Sequence, residues 1–547
     1  MLRTRHRALV QQILNLNQSL LETDRQASLR WKVLIYDQKG LNILSTLLKV
    51  SKLLEVGVTF YGSIKQKREP IPDVSAVYLL EPTPENLRLI AQDCATPLYD
   101  QMYINFLSPI SSQDLEYFAS EVNHFSDGQC IHAIFDQYIE FSSIDPNLFT
   151  LYEQDNTMES VFGFKTTDEL LETTCRAIGS SLASVFLTAG EIPRILYKKD
   201  NHPASLVSQA FAEVIKPLSQ NFELWGSRRS ETPNAKPPLL IILDRSIDFA
   251  SQLHHPCTYQ ALIHDQFGIN KNQVKINGNF HDLDTDIDKL WCENKSKTFD
   301  SVLEAIGKEA KQFKAEYGAI DNDLDSALKN LPELSHKRLS LDTHTKVGDA
   351  LVETIKAKKA DALFKFEEDI VLQSTVDVHK LIDFLRSLPD TKDKLRLATF
   401  AFLCKVFSKD QISIVQDAVG ASLDFLIRFD SFRIDLKKDY KIASMLRSVS
   451  PFGSQSDSNA LAEKLPVVET TRRLLEESIE GFQLINPLTS SSNPNENIGN
   501  VYVFVIGPGN YTEFNGLCEL GRQRNIEITY GCTSMMRPNE FLDALMK

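Results

Sequence analysis

Along the first quarter of the chain, short apolar runs alternate with stretches of helical period. WKVLIYD (31–37), VTFYG (58–62), SAVYLLE (75–81) and MYINFLS (102–108) have strand length, while Leu41 to Leu54, the segment after Thr83 and residues near 112–122 repeat their apolar positions every three or four residues. Strands bounded by polar turns and alternating with amphipathic helices predict a parallel sheet covered on both faces. Thr83 suits a helix cap, and Pro84 fits the first helical position, where a missing N–H costs nothing.

Further along the pattern changes. Residues 150–237 read as helical and end in the polar linker GSRRSETPNAKPP; PLLIILDRSIDFA then predicts a buried strand ending at Asp244, followed by a helix through Tyr259 to Phe267. From about 300 to 480 nearly every segment has helical period. The tail supplies a strand in NVYVFVIGPGNYTEFNGL, a Gly-Pro-Gly turn, a helix, the strand EITYG (527–531) and a last helix. Two strands and two helices cannot form a doubly wound sheet alone, so the tail must complete a sheet begun before residue 238. The expected fold class is α/β with a helical insertion: a doubly wound α/β domain over 1–140, a second, discontinuous one over 141–237 and 481–547, and a mainly α-helical third domain over 238–480. A chain of 547 residues is long enough for these cores.

Composition narrows the function. With 73 acidic and 59 basic side chains the net charge is −14, which opposes nucleic acid as a partner. The eight cysteines include no C-x-x-C pair, so they read as reduced cytosolic thiols without metal. No apolar run approaches the ~20 residues needed to span a bilayer. Arg3, Arg5 and Arg7, with no acid before Glu22, imitate a mitochondrial presequence, but Leu9, Ile13, Leu16 and Leu20 keep helical spacing and favour an ordinary amphipathic first helix.

Candidate chemistry is sparse. The first strand-to-helix turn, Asp37-Gln38-Lys39-Gly40, has one glycine and matches no phosphate-binding loop. Gly507-Pro508-Gly509 with Glu527 approximates a dinucleotide fingerprint, yet Thr512 stands at its sixth position and Pro508 offers no N–H. Asp282, Asp284, Asp286, Asp288 and Glu293 have EF-hand spacing, but Ile287 occupies the position that needs glycine. His254 and His255, or Cys257 with His264 and Asp265, lack the spacing of a metal site or a nucleophile motif. The reading is therefore no enzyme, no cofactor and no catalytic or metal residue, with an α/β enzyme using a site near Asp244 or Gly507 as the alternative class.

Several strings carry a stronger signal: WKVLIYDQKGLNILSTLLKV, KREPIPDVSAVYLLEPTPENL, PLLIILDRSIDFASQLHHPCTYQALIHD, GPGNYTEFNGL and YGCTSMMRPNEFLDAL. In order and spacing they resemble the Sec/Munc (SM) family of syntaxin-binding SNARE regulators over almost the entire chain. LHHPCTYQALIHD, IFDQY, LPELSHKRLSLDTHT and DLDTDIDKLW are most similar to its Sly branch, which serves traffic between endoplasmic reticulum and Golgi. The resemblance implies a three-domain arch that is not an enzyme. It binds a syntaxin-type Qa-SNARE, an R-SNARE and the assembled SNARE bundle, promotes or proofreads SNARE assembly for vesicle docking and fusion, and meets tethering factors. It also implies a monomeric cytoplasmic protein, peripheral on ER and Golgi membranes and transport vesicles through its SNAREs. An SM protein of an endosomal, vacuolar or plasma-membrane branch is the alternative.

Residue by residue, the resemblance implies a syntaxin N-peptide pocket on the helix SSQDLEYFASEV and the following strand, with Leu115, Phe118, Ala119, Ile131 and Ile134 apolar and Asp136 polar. The same apolar residues would otherwise simply glue helix to sheet. It implies a SNARE-motif surface of Leu334, Leu339, Leu341, Val347 and Leu351 on a helical hairpin, with Lys49 and Arg68 on the inner face of the arch; many of these apolar positions must be core, and a solvated surface role is the alternative for each of the two basic residues. Residues 443–467 look shorter than the lid of the Sly branch, which puts lid regulation in doubt. Ser251-Gln252-Leu253 and Pro508 also depart from the family's turns.

Overall fold

The computed structural model describes residues 2–18, 30–95, 98–151, 156–220, 236–283, 286, 288–319, 324–373, 376–434, 465–476, 480–488 and 498–547. Its first sheet contains β1 (Lys32–Tyr36), β2 (Val58–Ser63), β3 (Ser75–Leu80), β4 (Met102–Phe106) and β5 (Ile131–Asp136), all parallel, in the order β2-β1-β3-β4-β5. β4 is buried along its whole length and β3 nearly so, as expected for strands covered on both faces. Helices Pro84–Ala95 and Ser112–Phe125 cover one face. Leu2–Leu14 and Gln38–Leu47 cover the other. The expected single helix from Leu41 to Leu54 is broken at Leu48 and Lys49, which are extended. Leu47 and Leu53 both enter one core, and their spacing of six cannot share a face of a continuous helix.

The first helix joins the two α/β units. Leu2 packs in the second unit's core and Val10, Ile13 and Leu14 in the first's. The three arginines serve this junction. Arg3 donates to the Thr46 carbonyl (2.9 Å), Arg5 to that of Ala189 and Arg7 to that of Leu47 (3.1 Å), while Arg3 and Arg7 also pair with Asp286.

The second sheet uses β6 (Ser142–Asp145), β7 (Leu148–Thr150), β8 (Arg194–Lys198) and β9 (Leu239–Asp244). β10 (Ile269–Asn270), β11 (Gln273–Ile276) and β12 (Asn279–Asp282) form a separate antiparallel sheet, and β13 (Phe482–Ile485), β14 (Val501–Gly509) and β15 (Ile528–Met535) return to the second, whose order is β13-β8-β9-β14-β15-β7-β6. The C-terminal strands thus complete a sheet begun before the helical block. One boundary is corrected: β9, assigned by sequence to the helical block, lies in the middle of this sheet between β8 and β14. All six of its residues are buried. A strand buried on both faces belongs inside a covered sheet, and the other strands described within 238–480, β10–β12, form a sheet of their own. β8, inside a region read as helical, is likewise a strand; five residues are too few for periodicity to decide.

The helical block contains a long hairpin, Phe299–Ala319 with Leu324–Lys358, then Ala360–Gln373, Val378–Ser387, Thr391–Leu403 and Ile412–Val419. Its core takes in Phe249 and Leu253 after β9 and Phe541, Leu542 and Leu545 of the last helix. Two buried ion pairs hold these parts together. Arg245, directly after β9, forms a two-pronged bridge to Glu513 (2.6 and 3.0 Å) with both side chains at 0% exposure; the Tyr530 hydroxyl donates to the same carboxylate (2.5 Å). Arg396 of the helical block grips Asp265 (2.8 Å) and donates to the carbonyls of Leu253 (2.6 Å) and His254 (3.0 Å).

Two outcomes follow from these buried groups. Glu513→Gln, which leaves Arg245 buried without its counter-charge, should cost about 3–5 kcal/mol in urea unfolding, and Arg245→Met/Glu513→Gln less than the sum of the single changes. Burial lowers His264 to about 4, and its Nδ1 accepts from the Ile269 N–H (3.1 Å), which requires the neutral ring. With an unfolded value near ~6.5, the unfolded chain binds the extra proton between these pH values. This group's stability contribution is therefore complete above pH ~6.5 and is lost as pH falls towards 4. Asp248, raised to about 6, acts in the opposite sense. His264→Gln should accordingly show a weaker acid-side loss of stability than the parent when unfolding is followed across this range.

Candidate functional site

Helix Ser112–Phe125 starts where the Ser111 hydroxyl accepts from the Asp114 N–H (3.0 Å). Its apolar residues divide between two faces. Phe118 and Val122, one turn apart, enter the core. Leu115, 43% exposed, and Ala119 form a second pair turned to the surface. β5 is the edge strand beside this helix; Ile134 is exposed and Ile131 half-buried against the core. Leu115, Ala119 and Ile134 thus supply exposed apolar surface next to a sheet edge with unpaired backbone groups. Phe118 does not belong to that surface, because it is needed to fix the helix to the sheet. Asp136 is also committed: it accepts from the Ile110 N–H (3.2 Å), and its carboxyl is raised by burial, partly offset by that bond.

The second set of residues divides in a similar way. Lys49 is exposed at the start of helix Val50–Glu55 and lines a cleft of about 470 Å³ together with Val50, Tyr61 and, from the small sheet, Lys271 and Asp282. Arg68 is not available there: its side chain is buried in a salt bridge with Asp93 (2.9 Å) and donates to the Ile64 carbonyl (3.0 Å). On the hairpin, Leu339 is 64% exposed, Leu334 and Leu341 are half-buried, and Val347 and Leu351 are fully buried core. The buried side of this helix is anchored by His344. Its Nδ1 meets the Tyr259 hydroxyl (2.9 Å) and its Nε2 the Asp288 carboxylate (3.0 Å), which also accepts from Ser340 (2.7 Å). Burial raises the Asp288 carboxyl, but the bonds from His344, Ser340 and the Trp291 N–H outweigh it and hold the group below its usual range. Asp288 is therefore a helix cap and a hairpin anchor, while Asp284 and Ile287 of the acidic run lie outside the described residues.

Sequence reasoning missed one feature. Trp31, Val50, Leu54, Phe60 and Tyr61 are all exposed on and around the other edge strand, β2, next to Lys49. The only local signal was VTFYG, whose aromatic pair breaks the alternation of a half-buried strand.

Where an α/β fold would take a ligand, the polar groups of the turns are engaged by the chain itself. At the end of β1, Asp37 accepts from the N–H groups of Gly40 and Glu81 (both 2.8 Å) and from Asn86 (2.9 Å); a Cβ on Gly40 would lie 2.3 Å from the Leu79 carbonyl oxygen. At the ends of β9 and β14, Arg245 donates to Glu513 and to the Pro508 carbonyl (3.1 Å). Gly507, at φ +115°, lets Arg245 pass where a Cβ would approach its Cβ to 2.8 Å. The Gly-Pro-Gly turn thus accommodates an arginine. Cys257 is pushed up to about 12 by burial, the wrong direction for a nucleophile. His255 holds Glu367 through its ring and its backbone N–H (both 2.7 Å). Among the described residues no group of three metal-ligating side chains occurs, and residues 443–464 of the expected lid lie outside them.

Comparison with known proteins agrees with this arrangement. Drosophila melanogaster protein sly1 homolog is 29% identical over 100% of this chain and 97% of its own length. Human Sec1 family domain-containing protein 1 is 31% identical over 94% of this chain and 92% of its own. Among solved structures, Sly1p in complex with an N-terminal peptide of Sed5p has a TM-score of 0.83 at 26% identity, covering 100% of this chain and 98% of that one. The SM protein Vps45 in complex with the Qa SNARE Tlg2 shares the fold at a TM-score of 0.79 and 18% identity, covering 100% and 97%. Its two α/β units with a helical insertion are the three-domain architecture of these proteins. The Sec1 family model matches residues 32–544, from β1 into the last helix, and the chain belongs to the Sec1 family.

Proposed function

We propose that this protein is a SNARE regulator of traffic between endoplasmic reticulum and Golgi. It takes the N-terminal peptide of a syntaxin-type Qa-SNARE on the first α/β unit and SNARE motifs, including those of an R-SNARE and the assembled bundle, on the inner face and hairpin. The carrying observation is the full-length likeness to Sly1p in complex with an N-terminal peptide of Sed5p, together with the exposed apolar face of Leu115, Ala119 and Ile134 beside an open strand edge. An extended peptide gains backbone hydrogen bonds at such an edge and specificity from an apolar anchor next to it. On the inner face, the reading moves from Arg68 to Lys49 with Val50, Leu54, Phe60 and Tyr61, and on the hairpin it rests on Leu334, Leu339 and Leu341.

Its role is binding, not catalysis. No described helix is long and apolar enough to cross a membrane. The reading places the protein in the cytoplasm, brought to ER, Golgi and vesicle membranes by SNAREs and tethering factors.

Calorimetry with N-terminal peptides of a panel of Qa-SNAREs tests both pocket and branch. Leu115→Lys should weaken binding of an early-secretory peptide by about tenfold or more with thermal stability kept; an unchanged affinity would remove the pocket, and preference for an endosomal or plasma-membrane peptide would reassign the branch. For the hairpin, Leu339→Ala should change folding stability by less than about 0.5 kcal/mol while reducing capture of SNARE motifs. Leu351→Ala should instead cost about 2–5 kcal/mol of stability.

A further inference from the structure

The eight cysteines are all free thiols, and two of them meet at the base of the first sheet. Cys94 lies in the last turn of helix Pro84–Ala95, and Cys130 directly precedes edge strand β5. Met102, the first residue of β4, joins them. Its thioether sulfur is 3.9 Å from the Cys94 Sγ, and its N–H donates to the Cys130 carbonyl (2.8 Å). All three side chains pack in the core between this helix and the sheet.

The two thiols differ in access. Cys94 is 7% exposed, and burial, then the neighbouring Cys130 thiol, raises it above the ordinary thiol range. Cys130 is half-buried, so a small oxidant in solution meets it first. Cys130 also ends a short loop that can adjust. Residues 126–130 turn through Gly128 at φ +71°, with the Gly128 N–H donating to the Ser126 hydroxyl (3.1 Å) and the Ile131 N–H to the Gly128 carbonyl (3.0 Å). β5 has a neighbouring strand on one side only, so a covalent tie at its start would limit fraying of the open edge.

We propose that Cys130 and Cys94 form a redox-modification site, at which a small-molecule disulfide such as oxidised glutathione converts the pair to a disulfide that staples the start of β5 to helix Pro84–Ala95. Cys130 loses its proton to solvent and attacks one sulfur of the glutathione disulfide. That S–S bond breaks, and the first glutathione leaves as a thiolate that takes up a proton. Cys94 then gives its proton to solvent and attacks the Cys130 sulfur, and the mixed disulfide breaks to release the second glutathione in the same way. Two protein thiols are oxidised, and one small disulfide is reduced to two thiols. Disulfides of this kind in reducing compartments are transient and redox-sensing.

The full chain, equilibrated with reduced and oxidised glutathione in graded ratios, is quenched by alkylation and digested with chymotrypsin without reduction for mass spectrometry. A Cys94–Cys130 cross-link should appear as the oxidised share rises and vanish with dithiothreitol. Cys94→Ala should instead accumulate glutathione on Cys130, whereas Cys130→Ser should leave Cys94 unmodified. In the cross-linked parent, amide hydrogen exchange over 131–136 should slow about threefold or more. An unaltered Tm checks that each variant keeps its fold; should Cys94→Ala prove less stable, the parent and Cys130→Ser decide. Glutathione that stops on Cys130 in the parent, a cross-link to another cysteine, no cross-link at any ratio, or unchanged exchange in the cross-linked chain overturns the proposal.

Discussion

The buried Arg245–Glu513 bridge is the constraint on which the rest of the structure depends. A sheet built from residues 142–244 and 482–535 must bring together strands separated by the whole helical insertion. The entropic cost of closing such a loop rises only slowly with its length, but it must be met by contacts made after closure. Arg245 leaves β9 where Glu513 enters the helix after β14, and every oxygen of that carboxylate is used, by two guanidinium nitrogens and the Tyr530 hydroxyl. Two buried charges are tolerable only under such saturation, so the bridge accepts one alignment of β9 and β14 and excludes slipped ones. Arg396 repeats the device one layer outward, where Asp265 and two carbonyls seat the helical block on the sheet.

Local pattern revealed those parts of the fold whose partners are near in sequence. β1, β3 and β4 are apolar on both faces and alternate with capped helices, which is enough to predict a parallel sheet. β9 has an equally clear strand pattern, yet its neighbours β8 and β14 are 40 to 260 residues away, and periodicity carries no information about partners. Hence its misassignment to the helical block. The candidate surfaces show the same limit. Leu115, Phe118, Ala119 and Val122 all fit a helical stripe, and only packing against β4 and β5 decides that Phe118 and Val122 face inward. The burial of Arg68 is invisible in the sequence because Asp93, its partner, lies 25 residues on. The patch of Trp31, Val50, Leu54, Phe60 and Tyr61 exists only once a strand edge, a short helix and a loop are assembled.

Rigid anchoring and exposed apolar surface are connected. Both candidate surfaces keep large apolar side chains in water instead of burying them in the protein's own core. Apolar packing alone is a weak guard, since Leu339 and Leu351 are chemically alike and a rotated helix could exchange them. The hairpin avoids this through directional bonds on its inner side: His344 must meet both Tyr259 and Asp288, and rotation would leave a buried imidazole without partners and the Asp288 carboxylate with only the Trp291 N–H. The same reasoning applies to the first unit, where Asp136 ties the loop before helix Ser112–Phe125 to edge strand β5 and fixes the distance between Leu115 and Ile134. Polar groups buried beneath each surface therefore determine which apolar groups remain outside, and on the proposed reading they pre-organise those surfaces for a partner.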